Sequence, residues 1–80
     1  MIRIFGQSGC TFCERAKDLA EQFNLSYEYI NLNKKEEAIP EFRSLFPDAK
    51  TVPQIIWDDM YIGGYESFYQ ELKERGYLNE

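Results

Sequence analysis

Cys10-Thr11-Phe12-Cys13 holds both cysteines of the 80-residue chain and follows an apolar run, Ile2-Arg3-Ile4-Phe5, and a turn-like segment, Gly6-Gln7-Ser8-Gly9. This order predicts a strand, a loop and a helix that begins at the cysteines. Cysteines three residues apart at a helix start lie about one turn apart, close enough for a disulfide. The positive end of the helix dipole also favours a lowered thiol pKa at that position.

Length and composition indicate one small domain spanning residues 1–80. Apolar residues make up 44% of the chain and aromatic residues 16%, which is enough for a core and too much for a disordered chain. The net charge is −5 and no segment is strongly basic, so nucleic acid is not an expected partner. No run approaches the roughly 20 apolar residues that span a bilayer, so no membrane partner is expected.

The N-terminal sequence predicts a cytoplasmic protein. Residues 1–6 lack the basic head and continuous apolar stretch of a secretory signal. In a reducing compartment, two cysteines close in sequence indicate redox or metal chemistry more than a structural crosslink. A disulfide that closes so small a loop would remove little chain entropy.

Apolar spacing predicts the elements of the first half of the chain. Helical spacing runs from the cysteines to about Asn24, and residues 25–32 are strand-like. The next helical pattern contains Pro40, which suits a first-turn position, so the regular helix is predicted to begin near Pro40. Glu36 and Glu37 then form a looser lead-in turn.

The second half predicts a hairpin and a final helix. Residues 52–57 and 60–62 form its strands, with Asp58-Asp59 as the turn. The last helix begins at Tyr65, and Gly76 terminates it. The resulting order, β-α-β-α-β-β-α, predicts an α/β fold in which three helices flank a four-stranded mixed sheet.

The two cysteines have a metal interpretation and a redox interpretation. A closed structural zinc site usually draws four Cys or His ligands, whereas this chain has two Cys and no His. A zinc site shared between chains and a purely structural cysteine pair remain alternatives, and redox chemistry is favoured. The absence of histidine excludes a Cys-His hydrolase pair. Cys10, at the helix terminus, is the predicted nucleophile, and Cys13, one turn inside, is the predicted resolving thiol.

Three segments, in this order and at this spacing, resemble the glutaredoxin family of the thioredoxin-like fold: Cys10-Thr11-Phe12-Cys13, Thr51-Val52-Pro53 and Gly63-Gly64-Tyr65-Glu66. The element order also fits, so the resemblance covers nearly the whole chain. The double glycine distinguishes the chain from thioredoxins, and its small size resembles the compact bacterial or bacteriophage members. The resemblance implies a thioredoxin-like fold and a dithiol thiol-disulfide oxidoreductase with catalytic Cys10 and Cys13.

The resemblance also implies a glutathione site. Pro53 would be a cis-proline facing the cysteines, and the backbone of Val52 would pair with the cysteinyl part of glutathione. The helix start after Gly64 and the Ser67 hydroxyl would receive the γ-glutamyl carboxylate. Gln7 stands where many members carry a lysine. The implied glutathione-binding residues are Gln7, Phe12, Lys50, Thr51, Val52, Pro53, Gly64, Tyr65, Glu66 and Ser67.

The family resemblance implies partners as well. Glutathione is the expected reductant and disulfide-containing proteins the expected substrates, with ribonucleotide reductase a family-level candidate; a monomer without a metal is expected. Two alternatives remain. One is a dimer that binds an iron-sulfur cluster through Cys10 and glutathione, which Thr11 leaves open because proline there tends to disfavour it. The other is a redoxin coupled to thioredoxin reductase.

Overall fold

A computed structural model describes residues 1–78. The elements follow the predicted order. The strands are β1 Ile2–Gly6, β2 Tyr27–Asn31, β3 Gln54–Trp57 and β4 Met60–Gly63. The helices are α1 Thr11–Gln22, α2 Ile39–Leu45 and α3 Tyr65–Glu74, and a 3₁₀ turn, Glu36–Ala38, leads into α2 as the acidic residues before Pro40 predicted.

The four strands form one mixed sheet in the order β2-β1-β3-β4. Strand β1 runs parallel to β2 and antiparallel to β3, and β3 and β4 form the predicted antiparallel hairpin. At its turn, Asp58 and Asp59 both have positive φ, as a tight two-residue hairpin turn requires. The predicted thioredoxin-like mixed sheet is therefore confirmed.

The core lies on both faces of the sheet because successive side chains of β1 point to opposite sides. Ile4 faces α1 and α3, and Phe5 faces α2; both are fully buried. The ring of Phe5 meets that of Phe46 edge-on at a centroid distance of 5.6 Å. The first face also buries Ile2, Ala16, Leu19, Ala20, Ile55, Trp57, Phe68 and Leu72, and the second Ile30, Ala38 and Phe46.

Several element ends differ from the predicted bounds for physical reasons. Helix α1 ends at Gln22 because Asn24 adopts a left-handed φ of 55°, a conformation that stops a helix. Strand β3 begins at Gln54 and not at the predicted residue 52, since Pro53 has no N–H to donate to a ladder. Gly76, with φ +89°, follows the end of α3 as predicted. No helix within residues 1–78 has the length and apolar character needed to cross a membrane.

Candidate active site

Cys10 is the residue that caps the N-terminus of α1. Its backbone is extended, and its Sγ accepts a hydrogen bond from the backbone N–H of Cys13 at 3.1 Å. This places the sulfur at the end of the helix where unpaired N–H groups concentrate positive charge. The prediction that a helix begins at the cysteines is confirmed.

The two cysteines are joined by a disulfide, with their Cα atoms 5.2 Å apart. Cys13 is fully buried, whereas Cys10 is partly exposed. A substrate that approaches from solvent therefore reaches the sulfur of Cys10 first. This difference in burial supports Cys10 as the attacking thiol and Cys13 as the resolving thiol.

The loop before Cys10 is tied to the end of β2 by side chains of Ser8, Asn31 and Asn33. The backbone N–H of Ser8 donates to Oδ1 of Asn33 at 2.7 Å, and Nδ2 of Asn31 donates to Oγ of Ser8 at 3.1 Å. These hydrogen bonds fix the loop that delivers Cys10 to the start of α1. Sequence reasoning missed this role of the two asparagines.

The segment Thr51-Val52-Pro53, immediately before β3, faces Cys10 through Val52. The Val52–Pro53 peptide bond is cis, as the resemblance implied. Sγ of Cys10 lies 3.8 Å from the carbonyl oxygen of Val52, and Pro53 is buried. The reactive sulfur therefore lies against the backbone edge predicted to pair with a peptide-like ligand.

Gln54 holds this segment in place from inside the protein. It is the residue after the cis-proline and is only 6% exposed. Its Nε2 donates to the carbonyl oxygen of Thr51 at 3.0 Å, and its Oε1 accepts from the hydroxyl of Tyr61 at 2.6 Å. Sequence reasoning missed this pair, because the match of Gln54 with Tyr61 depends on the hairpin register.

A groove of about 370 Å³ runs along the start of α3, and we call it the α3 groove. Gly64 caps α3 and has no side chain that could accept from the first N–H groups of the helix, which leaves these groups to a ligand. Gly63 has φ +121°, and a Cβ there would lie 2.9 Å from Oγ of Ser67. The groove is lined by Phe12, Thr51, Val52, Pro53, Gly64, Tyr65, Glu66 and Ser67.

One wall of the α3 groove is an aromatic pair that joins α1 to α3. The rings of Phe12 and Tyr65 have centroids 5.5 Å apart, and the Arg15 guanidinium lies 5.2 Å from the Phe12 centroid. Phe12 is 49% exposed, so half of its surface is available to a ligand.

A second cavity of about 320 Å³, here called the Lys50 cavity, adjoins the α3 groove on the other side of Val52. Gln7 and Lys50 line it with Arg43, a second cation that was not predicted. Arg43 was not predicted because the sequence alone does not show which face of the short helix α2 borders this cavity. The other lining residues are Leu32, Asn33, Ile39, Phe42, Ala49, Thr51 and Val52.

The ten predicted glutathione-binding residues therefore divide between two adjoining cavities. Eight line the α3 groove, and Gln7 and Lys50 line the Lys50 cavity. Thr51 and Val52 belong to both. Within residues 1–78, no cluster of three or more His, Cys, Asp or Glu side chains is placed to hold a metal ion.

Comparison with known proteins agrees with this geometry. The sequence model of the glutaredoxin family matches residues 2–62. The chain is 38% identical to Glutaredoxin 1 of Escherichia coli K12 over 77 residues, which cover 89% of this chain and 91% of the relative.

The chain belongs to the glutaredoxin family.

Solved structures show the same relationship. The NMR structure of reduced Escherichia coli glutaredoxin superposes with a TM-score of 0.78 at 37% identity, covering 91% of this chain and 93% of that chain. The crystal structure of a buckwheat glutaredoxin-glutathione complex superposes with a TM-score of 0.75 at 28% identity, covering 96% of this chain and 71% of that chain. This glutaredoxin, with its Cys10–Cys13 disulfide, is a thiol-disulfide oxidoreductase.

Proposed function

We propose that this glutaredoxin uses glutathione to reduce protein disulfides and glutathione mixed disulfides. The observation that carries the proposal is the contact between Sγ of Cys10 and the Val52 carbonyl, 3.8 Å apart, where the α3 groove meets the disulfide. A ligand paired with the backbone of Val52 would present its own sulfur beside Cys10. The solved glutathione complex of the buckwheat relative supports glutathione as that ligand.

The proposed reaction uses the cysteines in sequence. The Cys10 thiolate attacks a substrate disulfide, forms a mixed disulfide with one half of it and releases the other half as a thiol. The Cys13 thiolate then attacks Sγ of Cys10, which expels the second substrate thiol and forms the Cys10–Cys13 disulfide. Two glutathione molecules restore the dithiol and leave as one glutathione disulfide, so two electrons pass to the substrate in each cycle.

Each of the two cavities binds one end of glutathione. The start of α3 and the hydroxyl of Ser67 receive the γ-glutamyl carboxylate, since free N–H groups at a helix N-terminus bind anions. The glycyl carboxylate points into the Lys50 cavity, where Lys50 and Arg43 supply positive charge near Gln7. These cations give local attraction for an anionic tripeptide on a chain whose net charge is −5.

The test compares two reducing systems with one protein disulfide substrate. With NADPH, glutathione reductase and glutathione, we expect rapid turnover; with NADPH and thioredoxin reductase alone, we expect little. Turnover that requires thioredoxin reductase and ignores glutathione would overturn the proposal in favour of a thioredoxin-reductase-coupled redoxin.

Variants at the two carboxylate sites sharpen that test. Ser67→Ala and Lys50→Gln should each raise the KM for a glutathione mixed disulfide several-fold with little change in kcat. Lys50→Arg keeps the charge and should have a KM near that of the wild type. Ser44→Ala, at an exposed position of α2, should also keep the wild-type KM. Equal KM values in all four variants would contradict glutathione binding at these sites.

The cellular setting is part of the proposal. We propose a monomer in the cytoplasm that reduces disulfide-containing proteins, with ribonucleotide reductase as a candidate substrate. The reducing cytoplasm suits a Cys-x-x-Cys pair that cycles between dithiol and disulfide. Sedimentation of the reduced protein with glutathione, after anaerobic incubation with iron and sulfide, tests the monomer; a coloured dimer would favour the iron-sulfur alternative.

A further inference from the structure

Tyr29 carries a buried hydroxyl that the proposed chemistry does not use. It lies in β2 opposite Ile4 of β1, and its ring packs against the core beneath α1. The Lys17 ammonium lies 5.1 Å from the ring centroid and covers the ring from the α1 side. Within residues 1–78, the Tyr29 hydroxyl is buried without a hydrogen-bond partner. A buried polar group in that condition destabilises the state that contains it.

The Tyr29 hydroxyl and the Cys13 side chain both lie beside Gly6. A Cβ built on Gly6 would overlap the Tyr29 hydroxyl, would lie 2.9 Å from Cζ of the same ring, and would lie 3.0 Å from Cβ of Cys13. The Tyr29 hydroxyl and the Cys13 side chain therefore border the same small space, which exists because residue 6 has no side chain. Cys13 is fully buried, so few other groups can share that space.

The oxidation state of the two cysteines determines whether the Tyr29 hydroxyl has a hydrogen-bond partner. In the disulfide, Sγ of Cys13 is bonded to Sγ of Cys10 and held toward the N-terminus of α1. Reduction by a dithiol breaks the sulfur-sulfur bond, adds two electrons and two protons, and leaves the reductant as a disulfide. Sγ of Cys13 is then no longer held by Cys10, can adopt another staggered rotamer and, as a thiol or thiolate, accepts hydrogen bonds.

We infer that, in the reduced protein, the Tyr29 hydroxyl donates a hydrogen bond to Sγ of Cys13, which stabilises the dithiol state and positions the resolving sulfur. Tyr29 is a positioning residue that keeps its proton throughout. Burial raises the pKa of Tyr29, with a smaller contribution from Glu14, so the hydroxyl remains a donor over the working range of the enzyme. This hydrogen bond shifts the equilibrium between the Cys10–Cys13 disulfide and the dithiol. The shift does not depend on how glutathione binds.

The test is the equilibrium between the protein and a dithiothreitol redox buffer, which does not require the α3 groove. Tyr29→Phe removes only the hydroxyl and should shift this equilibrium roughly tenfold toward the disulfide form, or about 30 mV to more negative potential for a two-electron couple. Tyr27→Phe is the matched control, because Tyr27 lies two residues away on the same face of β2. It should leave the equilibrium unchanged.

Denaturant unfolding of the two redox states separates this role from simple packing. Tyr29→Phe should destabilise the dithiol protein while leaving the disulfide protein unchanged or more stable. An equal loss of stability in both states, or an unchanged equilibrium with dithiothreitol, would overturn the inference.

A measurement on the wild-type protein needs no substitution. The ¹³Cζ resonance of Tyr29 should move on reduction as its hydroxyl gains an acceptor, and that of Tyr27 should stay in place. Equal shifts at the two tyrosines would contradict a specific bond to Cys13.

Discussion

The backbone N–H of Cys13 donates a hydrogen bond to Sγ of Cys10 at 3.1 Å. The backbone of Cys13 thus supports the sulfur of Cys10, while the Cys13 side chain is itself fully buried. A thiolate at Cys10 would gain from this bond and from the helix dipole, since charged acceptors form stronger hydrogen bonds than neutral ones. One helix turn therefore holds both cysteines of the proposed reaction and the groups that would stabilise a Cys10 thiolate.

Phe12 is expected to contribute to ligand binding more than to stability. It is 49% exposed and forms the wall of the α3 groove with Tyr65. Phe12→Ala should raise the KM for a glutathione mixed disulfide several-fold and change the free energy of unfolding by less than about 1 kcal/mol. Met60→Ala removes a similarly exposed apolar side chain, 46% exposed, from β4 and should leave the KM unchanged. Equal effects of the two variants on KM would contradict a ligand contact at Phe12.

Gly63 should be the glycine least tolerant of a side chain among those with positive φ. In Gly63→Ala a Cβ would meet Oγ of Ser67 at 2.9 Å with φ held at +121°. Strain and overlap together should lower the free energy of unfolding by about 2–4 kcal/mol.

Gly76→Ala is the matched control for Gly63→Ala. Its φ is +89°, but among residues 1–78 no atom beyond Gly76 and its two chain neighbours lies within 4 Å of the added Cβ. It should lower the free energy of unfolding by about 1–2 kcal/mol. Urea unfolding measures both variants, and a larger loss at Gly76 would contradict the predicted overlap with Ser67.

The Tyr61 hydroxyl should stabilise the Thr51 segment indirectly. Its bond to Oε1 of Gln54, at 2.6 Å, holds the side chain that in turn donates to the Thr51 carbonyl. Tyr61→Phe leaves the buried Oε1 unpaired and should lower the free energy of unfolding by about 1–2 kcal/mol. Tyr77→Phe, at another exposed tyrosine, should change it by less than about 0.5 kcal/mol. Urea unfolding should give a lower midpoint for Tyr61→Phe than for Tyr77→Phe, with the same slope for both. Identical midpoints for the two variants would contradict this prediction.

The burial of Tyr29 predicts a fall in stability in alkali. Because burial raises its pKa in the folded state above the ordinary value of about 10, the unfolded chain loses this proton first as the pH rises. Ionisation of Tyr29 leaves the free energy of unfolding unchanged below about pH 10 and lowers it as the pH rises toward the folded-state pKa. Tyr29→Phe in the disulfide form should therefore lose less stability than wild type between about pH 10 and 11, measured by urea unfolding. Parallel stability curves for the two proteins would contradict this.

Local patterns in the sequence were enough to predict the element order and the cysteine helix. Asn24, Pro40 and Gly76 act on the chain next to them, so their effects on helix bounds follow from backbone chemistry. The cis-proline and the lining of the α3 groove were predicted from the family resemblance and not from such local signals.

The parts that sequence did not predict depend on contacts between distant residues. Arg43 reaches the Lys50 cavity only through the way α2 packs on the sheet. Gln54 meets Tyr61 through the register of the hairpin, and Tyr29 meets the space over Gly6 through the parallel pairing of β1 with β2. Each side chain, read alone, is an ordinary strand or helix residue.

In the proposed glutathione-dependent cycle, Cys10 attacks and Cys13 resolves. The most direct measurement is reduction of a glutathione mixed disulfide by Cys10→Ser and Cys13→Ser in the presence of glutathione, glutathione reductase and NADPH. We expect Cys10→Ser to be inactive, and Cys13→Ser to keep this activity while losing dithiol reduction of protein disulfides. Full activity of Cys10→Ser, or loss of mixed-disulfide reduction in a folded Cys13→Ser protein, would contradict these roles of the two cysteines.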